Sequence, residues 1–240
     1  MKIINGIEPI KVVVVCCLHG EEIFGRKIFN YYSSRISKFP GLKLILANTM
    51  AIQQKTRYIE EDLNRCFPGN STGNYENRLA SRVTKQIGNP EYIIDIHTTT
   101  SDTLTTPIVT NLSNKTKRIL NLTDFLTIIY MARSMSRHSL IGQYEAAVSL
   151  ETGLKYSKDP KSFKEIQTAI EGLLTGNQQP KTARTILKVS ETISNDVILP
   201  KNTKNLELVK ELGIYPFLIG EDTYTEFQGF AGRYHKTELI

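Results

Sequence analysis

Val12-Val13-Val14-Val15-Cys16-Cys17-Leu18-His19-Gly20-Glu21-Glu22 is the stretch whose reading decides the fold. Val12 to Cys17 is a continuous apolar run of β-forming residues, without the alternation of a half-exposed strand. Such a run suits a strand covered on both faces, as in a mostly parallel sheet lying between helices. Polar residues follow at once, and helical spacing begins at Ile23. The stretch therefore reads as buried strand, sharp turn and helix.

The same texture recurs along the chain. Leu42–Ala47, Tyr92–Ile96, Pro107–Thr110, Thr127–Met131 and Ala146–Leu150 read as further strands. Ile23–Lys38, Tyr75–Ile87, Asn114–Leu122 and Pro160–Leu174 show helical spacing, the last entered through Asp159-Pro160 and stopped at Gly176. Alternating strands and helices imply an α/β domain with a mixed, mostly parallel sheet flanked by helices, over residues 1–176. Gly176–Pro180 is a polar break. Beyond it Thr185–Ser190, Val197–Pro200 and Tyr215–Ile219 are short β runs between turn residues, so 177–240 reads as a small all-β domain.

Composition narrows the class. The chain has 240 residues, 40% hydrophobic and 22% charged, as expected for a globular protein. No apolar run reaches the roughly 20 residues that span a bilayer, and Lys2 is not followed by the long apolar stretch of a secretory leader. Three cysteines, two of them adjacent, do not make a disulfide framework. A cytoplasmic location without a membrane partner is expected. The formal net charge is +6; residues 1–176 hold 22 Lys and Arg against 16 Asp and Glu, whereas 177–240 hold eight of each. The longest basic cluster, Lys115–Arg118, lies on a helix face and does not form the stripe that nucleic acid requires. A small carboxylate-bearing substrate accounts for the excess without a nucleic-acid partner. A homo-oligomer stays open.

Three motifs carry chemistry. His19 at a strand end and Glu22 three residues on can converge on one metal, with Gly20 allowing a sharp turn between them. Taken alone, the pair equally describes a helix start with acids in its first turn. Asp95-Ile96-His97-Thr98-Thr99-Thr100-Ser101 places a second histidine at the end of another buried strand. Asp95 shares its face and is a candidate support for the imidazole. Arg57 to Arg65 is a polar stretch with two arginines and Asn64, suited to bidentate and neutral contacts with a carboxylate.

Taken together, His19-Gly20-Glu21-Glu22, Thr56–Gly69 and Asp95–Ser101 resemble the aspartoacylase and succinylglutamate desuccinylase family, a branch of the zinc carboxypeptidase-like hydrolases. Val148-Ser149-Leu150-Glu151-Thr152-Gly153 resembles that family's strand-end glutamate, and Tyr215–Tyr224 its C-terminal tyrosine segment. The resemblance runs from about residue 12 to 224. It implies one zinc ion per chain held by His19, Glu22 and His97, with Glu151 as general base and then acid. Arg57 would polarise the scissile carbonyl, Asn64 and Arg65 would grip a substrate carboxylate, and Tyr224 would close over it. The family uses a further arginine upstream of the glutamate; Arg137 is the nearest candidate and Arg133 another. The implied activity is hydrolysis of the amide of an N-acyl amino acid. Two alternatives are a carboxypeptidase-like hydrolase of short or modified peptides, and a basic polyanion-binding module with a vestigial zinc site.

Overall fold

A computed structural model gives the structure of the chain and describes residues 1–177 and 180–240. Gln178 and Gln179, part of the expected polar break, lie outside the described residues.

Among the described residues ten strands form one sheet: β1 (Lys2–Asn5), β2 (Val12–Cys16), β3 (Leu42–Leu46), β4 (Tyr92–Thr99), β5 (Thr106–Val109), β6 (Thr127–Met131), β7 (Ala147–Gly153), β8 (Ala183–Ser194), β9 (Tyr215–Phe217) and β10 (Phe227–Leu239). The helices are α1 (Ile23–Ser33), α2 (Thr49–Gln54), α3 (Tyr75–Ile87), α4 (Asn114–Asn121), α5 (Arg133–Ser136) and α6 (Pro160–Thr175). The strand order is β1-β3-β2-β4-β7-β5-β6-β8-β10-β9. Strands β3, β2, β4 and β7 are parallel, as are β5, β6 and β8, and the two blocks meet antiparallel at β5 and β7. Antiparallel strands finish both edges.

All five residues of β2 are buried, and their side chains divide by parity. Val12, Val14 and Cys16 pack with Phe24, Ile28 and Phe29 of α1 and with Ile166 and Ile170 of α6. Val13 and Val15 pack on the opposite face with Leu79, Val83 and Ile87 of α3. Successive side chains of a strand point to opposite faces, so one valine run serves two cores. At roughly 1.5–3 kcal/mol for each fully buried side chain, this strand anchors both layers.

Local signals set several boundaries. Asp159 accepts from the Lys161 N–H with Pro160 in the first turn of α6, and Gly176 ends that helix at φ +75°. Asn74 caps α3 by accepting from the Asn77 N–H. Strands β4 and β7 continue past their last apolar residues, in the register His97–Glu151, Thr98–Thr152 and Thr99–Gly153. Hydrogen-bonded pairing needs no apolar side chain, so hydropathy stops too early there.

After residue 176 the chain extends the same sheet, with β8 parallel to β6 and β10 antiparallel to β8. Thr185–Ser190 falls inside β8, whereas Val197–Pro200 is irregular, and the Tyr215 run ends at Phe217 before Leu218 turns at φ +55°. Among the described residues no helix is long and apolar enough to cross a membrane.

Candidate active site

The carboxyl ends of β2, β4 and β7 meet at one place, where open α/β sheets bind ligands. The turn after β2 is made by Cys17, which takes φ +58°, a left-handed conformation that costs a non-glycine residue roughly 1–2 kcal/mol. Gly20 serves a different need. A Cβ there would lie 2.3 Å from the Ala51 carbonyl carbon and 2.4 Å from the Thr56 oxygen. Close packing, not an unusual dihedral, requires glycine at this position. Its N–H donates to the Arg57 carbonyl at 3.0 Å, which ties the His19 turn to the arginine-bearing loop.

Glu22 stands at the N-cap position of α1 but makes no capping hydrogen bond. Its carboxylate turns to the histidines instead. One oxygen, Oε1, lies 2.9 Å from His19 Nδ1 and 2.6 Å from His97 Nδ1. The other accepts from the His19 N–H at 3.1 Å. The ligand atoms of His19, Glu22 and His97 all lie within 4.8 Å of one another, and all three side chains are buried.

Each imidazole is backed by a further carboxylate. His19 Nε2 donates to Asp62 Oδ1 at 2.9 Å and His97 Nε2 to Asp95 Oδ2 at 2.8 Å. An ionised carboxylate only accepts, so Asp62 and Asp95 draw a proton to Nε2 of each ring, and Nδ1 is the nitrogen left to a metal beside Glu22. Freed of its proton, each Nδ1 joins Glu22 Oε1 as an acceptor converging on one point, a donor set that suits a cation. The second oxygen of Asp95 is buried without a hydrogen-bond partner among the described residues, which adds to the demand for positive charge.

Electrostatics report the same demand. Burial alone would lower both histidines, yet Glu22 and Asp62 raise His19, and Asp95 and Glu22 raise His97 well above its ordinary value. Burial would raise Glu22 and Asp62. The imidazoles, joined at Asp62 by Arg57, hold both well below the usual carboxylate range. Two imidazoles, one carboxylate and an open side are a fitting set for a catalytic zinc. Asp62→Asn and Asp95→Asn are each expected to weaken metal binding about 10–100-fold. Chelator competition measures this, and unchanged affinity in both would mean that neither carboxylate orients its imidazole.

Glu151 lies beside His97 in the sheet register, on the same face. Burial pushes its carboxyl up to about 7; His97 opposes this, and Glu22 and Glu221 add to it. Arg57, Asn64, Arg65 and Tyr224 line the same cleft as the histidines and Glu151. Arg57 is held by Asp62 at 3.4 Å and Glu21 at 3.5 Å. Asn64 Oδ1 accepts from the Leu140 N–H at 2.9 Å, which leaves its NH₂ group as the donor. Arg65 makes no ion pair within 4 Å among the described residues; its Nη1 donates to the Asn64 carbonyl at 3.1 Å. The Tyr224 ring packs on Phe227 and Phe230, and burial raises its hydroxyl, with Glu151 adding and Arg65 and Arg57 opposing. Arg137 is not brought to the cleft. It follows the short helix α5, its side chain is exposed, and Arg133 on α5 is exposed as well.

Three acids that hold the site escape sequence reasoning. Asp62 lies inside the polar loop, but nothing in its spacing links it to His19, 43 residues away. Glu76 lies in the first turn of α3. Its buried carboxylate in fact accepts from the N–H groups of Ile59, Glu60 and Glu61 and from Asn48, fixing the loop between Arg57 and Arg65. Glu221 accepts from Thr99, the Thr100 N–H and Thr223, which fastens the Tyr224 segment to the end of β4.

A model of the succinylglutamate desuccinylase/aspartoacylase catalytic domain matches residues 9–176. A probable aspartoacylase of Trichodesmium erythraeum is 33% identical over 119 residues, 42% of this chain and 39% of that protein. The aspartoacylase of Danio rerio is 26% identical over 232 residues, 87% of this chain and 71% of that one. The match to the first of these spans about two fifths of the relative's length. Among solved structures, murine aminoacylase 3 superposes with a TM-score of 0.74 at 19% identity, covering 97% of this chain and 99% of that one, a likeness of fold.

Proposed function

The chain belongs to the succinylglutamate desuccinylase/aspartoacylase family, and from that premise we propose that it is a zinc-dependent hydrolase of the amide bond in an N-acyl amino acid. One observation carries the reading: a single Glu22 oxygen faces both His19 Nδ1 and His97 Nδ1, with each ring backed by an aspartate. His19, Glu22 and His97 would hold one zinc per chain. When bound, zinc acts as a Lewis acid that acidifies the attacking water and polarises the acyl carbonyl.

The remaining steps belong to the protein. Glu151 takes a proton from the attacking water and returns it to the departing amine nitrogen as the C–N bond breaks, giving a carboxylate and a free amino acid. A carboxyl placed near 7 can both accept and give a proton at neutral pH. Arg57 stabilises the negative charge that develops on the carbonyl oxygen. It stays charged because Asp62 and Glu22 outweigh the cost of its burial. Asn64 and Arg65 hold the substrate carboxylate through a neutral donor and a planar guanidinium free of competing acids. Tyr224 covers that end of the cleft from the C-terminal segment.

The test compares an N-acyl amino acid with its carboxamide analogue on zinc-loaded protein. Loss of the charged hydrogen bonds is expected to lower kcat/KM on the order of 10–100-fold for the carboxamide. Arg65→Lys, which keeps charge but loses the fork, should lose part of the same preference. Arg57→Ala should act mainly on kcat, since its partner charge appears only in the transition state. Equal turnover of acid and carboxamide by the wild type would overturn the clamp and point to a peptide substrate.

A further inference from the structure

A second cavity, of about 820 Å³, opens beside the first two turns of α6 and shares none of its described lining residues with the histidine cleft. Residues 102–106, 124–127 and 203–207 form its other walls. Leu104 and Leu126 are each 64% exposed there, and Phe125 and Ile219 add further apolar surface. Charge in this cavity is unbalanced. Among the described residues five carboxylates line it against the ammonium groups of Lys161 and Lys204. Asp102 and Glu207 each have a lysine at 3.3 Å. The other three are poorly matched. The Glu165 side chain is 15% exposed, and its ion pair is with Lys161 at 3.9 Å, a side chain 78% exposed. Asp159 accepts from the Lys161 N–H as the helix cap. Asp124 makes no hydrogen bond or ion pair among the described residues. The buried Arg184, whose charge Asp124 stabilises, already donates to the Thr123 and Phe125 carbonyls. Burial raises the Glu165 carboxyl; Lys161 opposes this, and Asp124 and Asp159 add to it.

A second, neutral group stands beside Glu165. Ser162 precedes it by three residues, so the two share one face of α6. Ser162 is 6% exposed and lines the cavity, and its hydroxyl makes no hydrogen bond among the described residues. Buried hydroxyls nearly always have a partner, so this one marks a place for a ligand atom. No three of the acids gather their oxygens as His19, Glu22 and His97 gather their ligand atoms. A divalent ion therefore lacks a chelating set, and a cation that serves several of these carboxylates needs length. Ammonium groups joined by methylenes meet both demands. Each ammonium donates up to three hydrogen bonds, while the chain between them lies on apolar surface.

We infer that this cavity binds an aliphatic polyamine, with one ammonium held by Glu165 and Ser162 and the methylene chain against Leu104, Phe125 and Leu126. The site is separate from the metal centre and does not require the deacylase activity.

The experiment is calorimetric titration of the full chain with spermidine, butylamine and trilysine. The chain carries a formal net charge of +6, which disfavours a polycation away from a local acidic site. Spermidine is expected to bind at least about tenfold more tightly than butylamine, because its further ammonium groups gain charge-assisted hydrogen bonds. Glu165→Gln keeps the size but removes the charge, and should weaken spermidine about tenfold or more. Ser162→Ala should weaken it about threefold or more. Glu191→Gln removes a carboxylate of β8 that does not line the cavity, and should leave the affinity unchanged. Absence of saturable spermidine binding by the wild type overturns the inference, as does an affinity no better than that of butylamine. A folded Glu165→Gln protein with wild-type affinity also overturns it; if that variant does not fold, Asp124→Asn, at an exposed position, decides by the same measure. Tighter binding of trilysine than of spermidine would assign the cavity to a peptide and overturn the polyamine.

Discussion

Glu151→Gln is expected to keep its zinc and its thermal midpoint while losing turnover by a factor on the order of 10²–10⁴. The amide matches the carboxylate in size but cannot take a proton from water. Its neighbours in the ladder, His97 and Thr106, pair with it through the backbone and are untouched by the change. The pH dependence follows from the same group. The base must be ionised, and burial holds its carboxyl up to about 7. Wild-type kcat/KM should therefore fall on the acid side as this carboxylate takes up a proton. A bound dication favours the ionised form, so it moves this limb to lower pH, not higher. The limb should vanish in Glu151→Gln. Near-normal turnover by a zinc-loaded Glu151→Gln protein would remove Glu151 from the mechanism.

His97→Ala should have the larger effect: loss of the metal, and hydrolysis reduced to background. It leaves Glu22 facing a single imidazole and strips Asp95, whose other oxygen already lacks a partner, of its one hydrogen bond. Breaking a buried charged pair costs about 3–5 kcal/mol, so the thermal midpoint should fall as well. His97→Gln, which can still donate to Asp95, separates the two effects. Its midpoint should recover part of the loss, while its metal content should stay near zero. A His97→Gln protein with a full complement of zinc would mean that His97 supports the site without ligating.

Much of this architecture is legible in the sequence because burial on both faces leaves a plain mark. Four valines in a row admit few readings other than a covered strand, and Asp159-Pro160 with Gly176 brackets α6 at both ends. The candidate ligands are legible for a related reason: histidines and a glutamate follow directly on apolar runs, where polar side chains need a purpose. Strand β10 is hidden. Gly229 and Gly232 interrupt its pattern, and its second half alternates between exposed and half-buried positions among charged residues, since it lies near the edge of the sheet. Val197–Pro200 shows the converse, an apolar run that stays irregular. Gly20 is legible as a special position, but for its missing Cβ and not for its dihedral. The supports of the site are the least legible. Asp62, Glu76 and Glu221 each act across sequence separations that only the folded sheet closes. Arg137 is exposed and does not line the cleft, although Ser136 and Ser139 on either side of it do.

The central claim is that His19, Glu22 and His97 hold a zinc ion on which hydrolysis depends. Its most direct test is the zinc content of the purified protein set against its rate on an N-acyl amino acid, before chelation, after complete stripping and after zinc is returned. The account predicts about one zinc per chain, no hydrolysis when stripped, and recovery in proportion to the zinc restored. Full hydrolysis by protein from which all metal has been removed would contradict it.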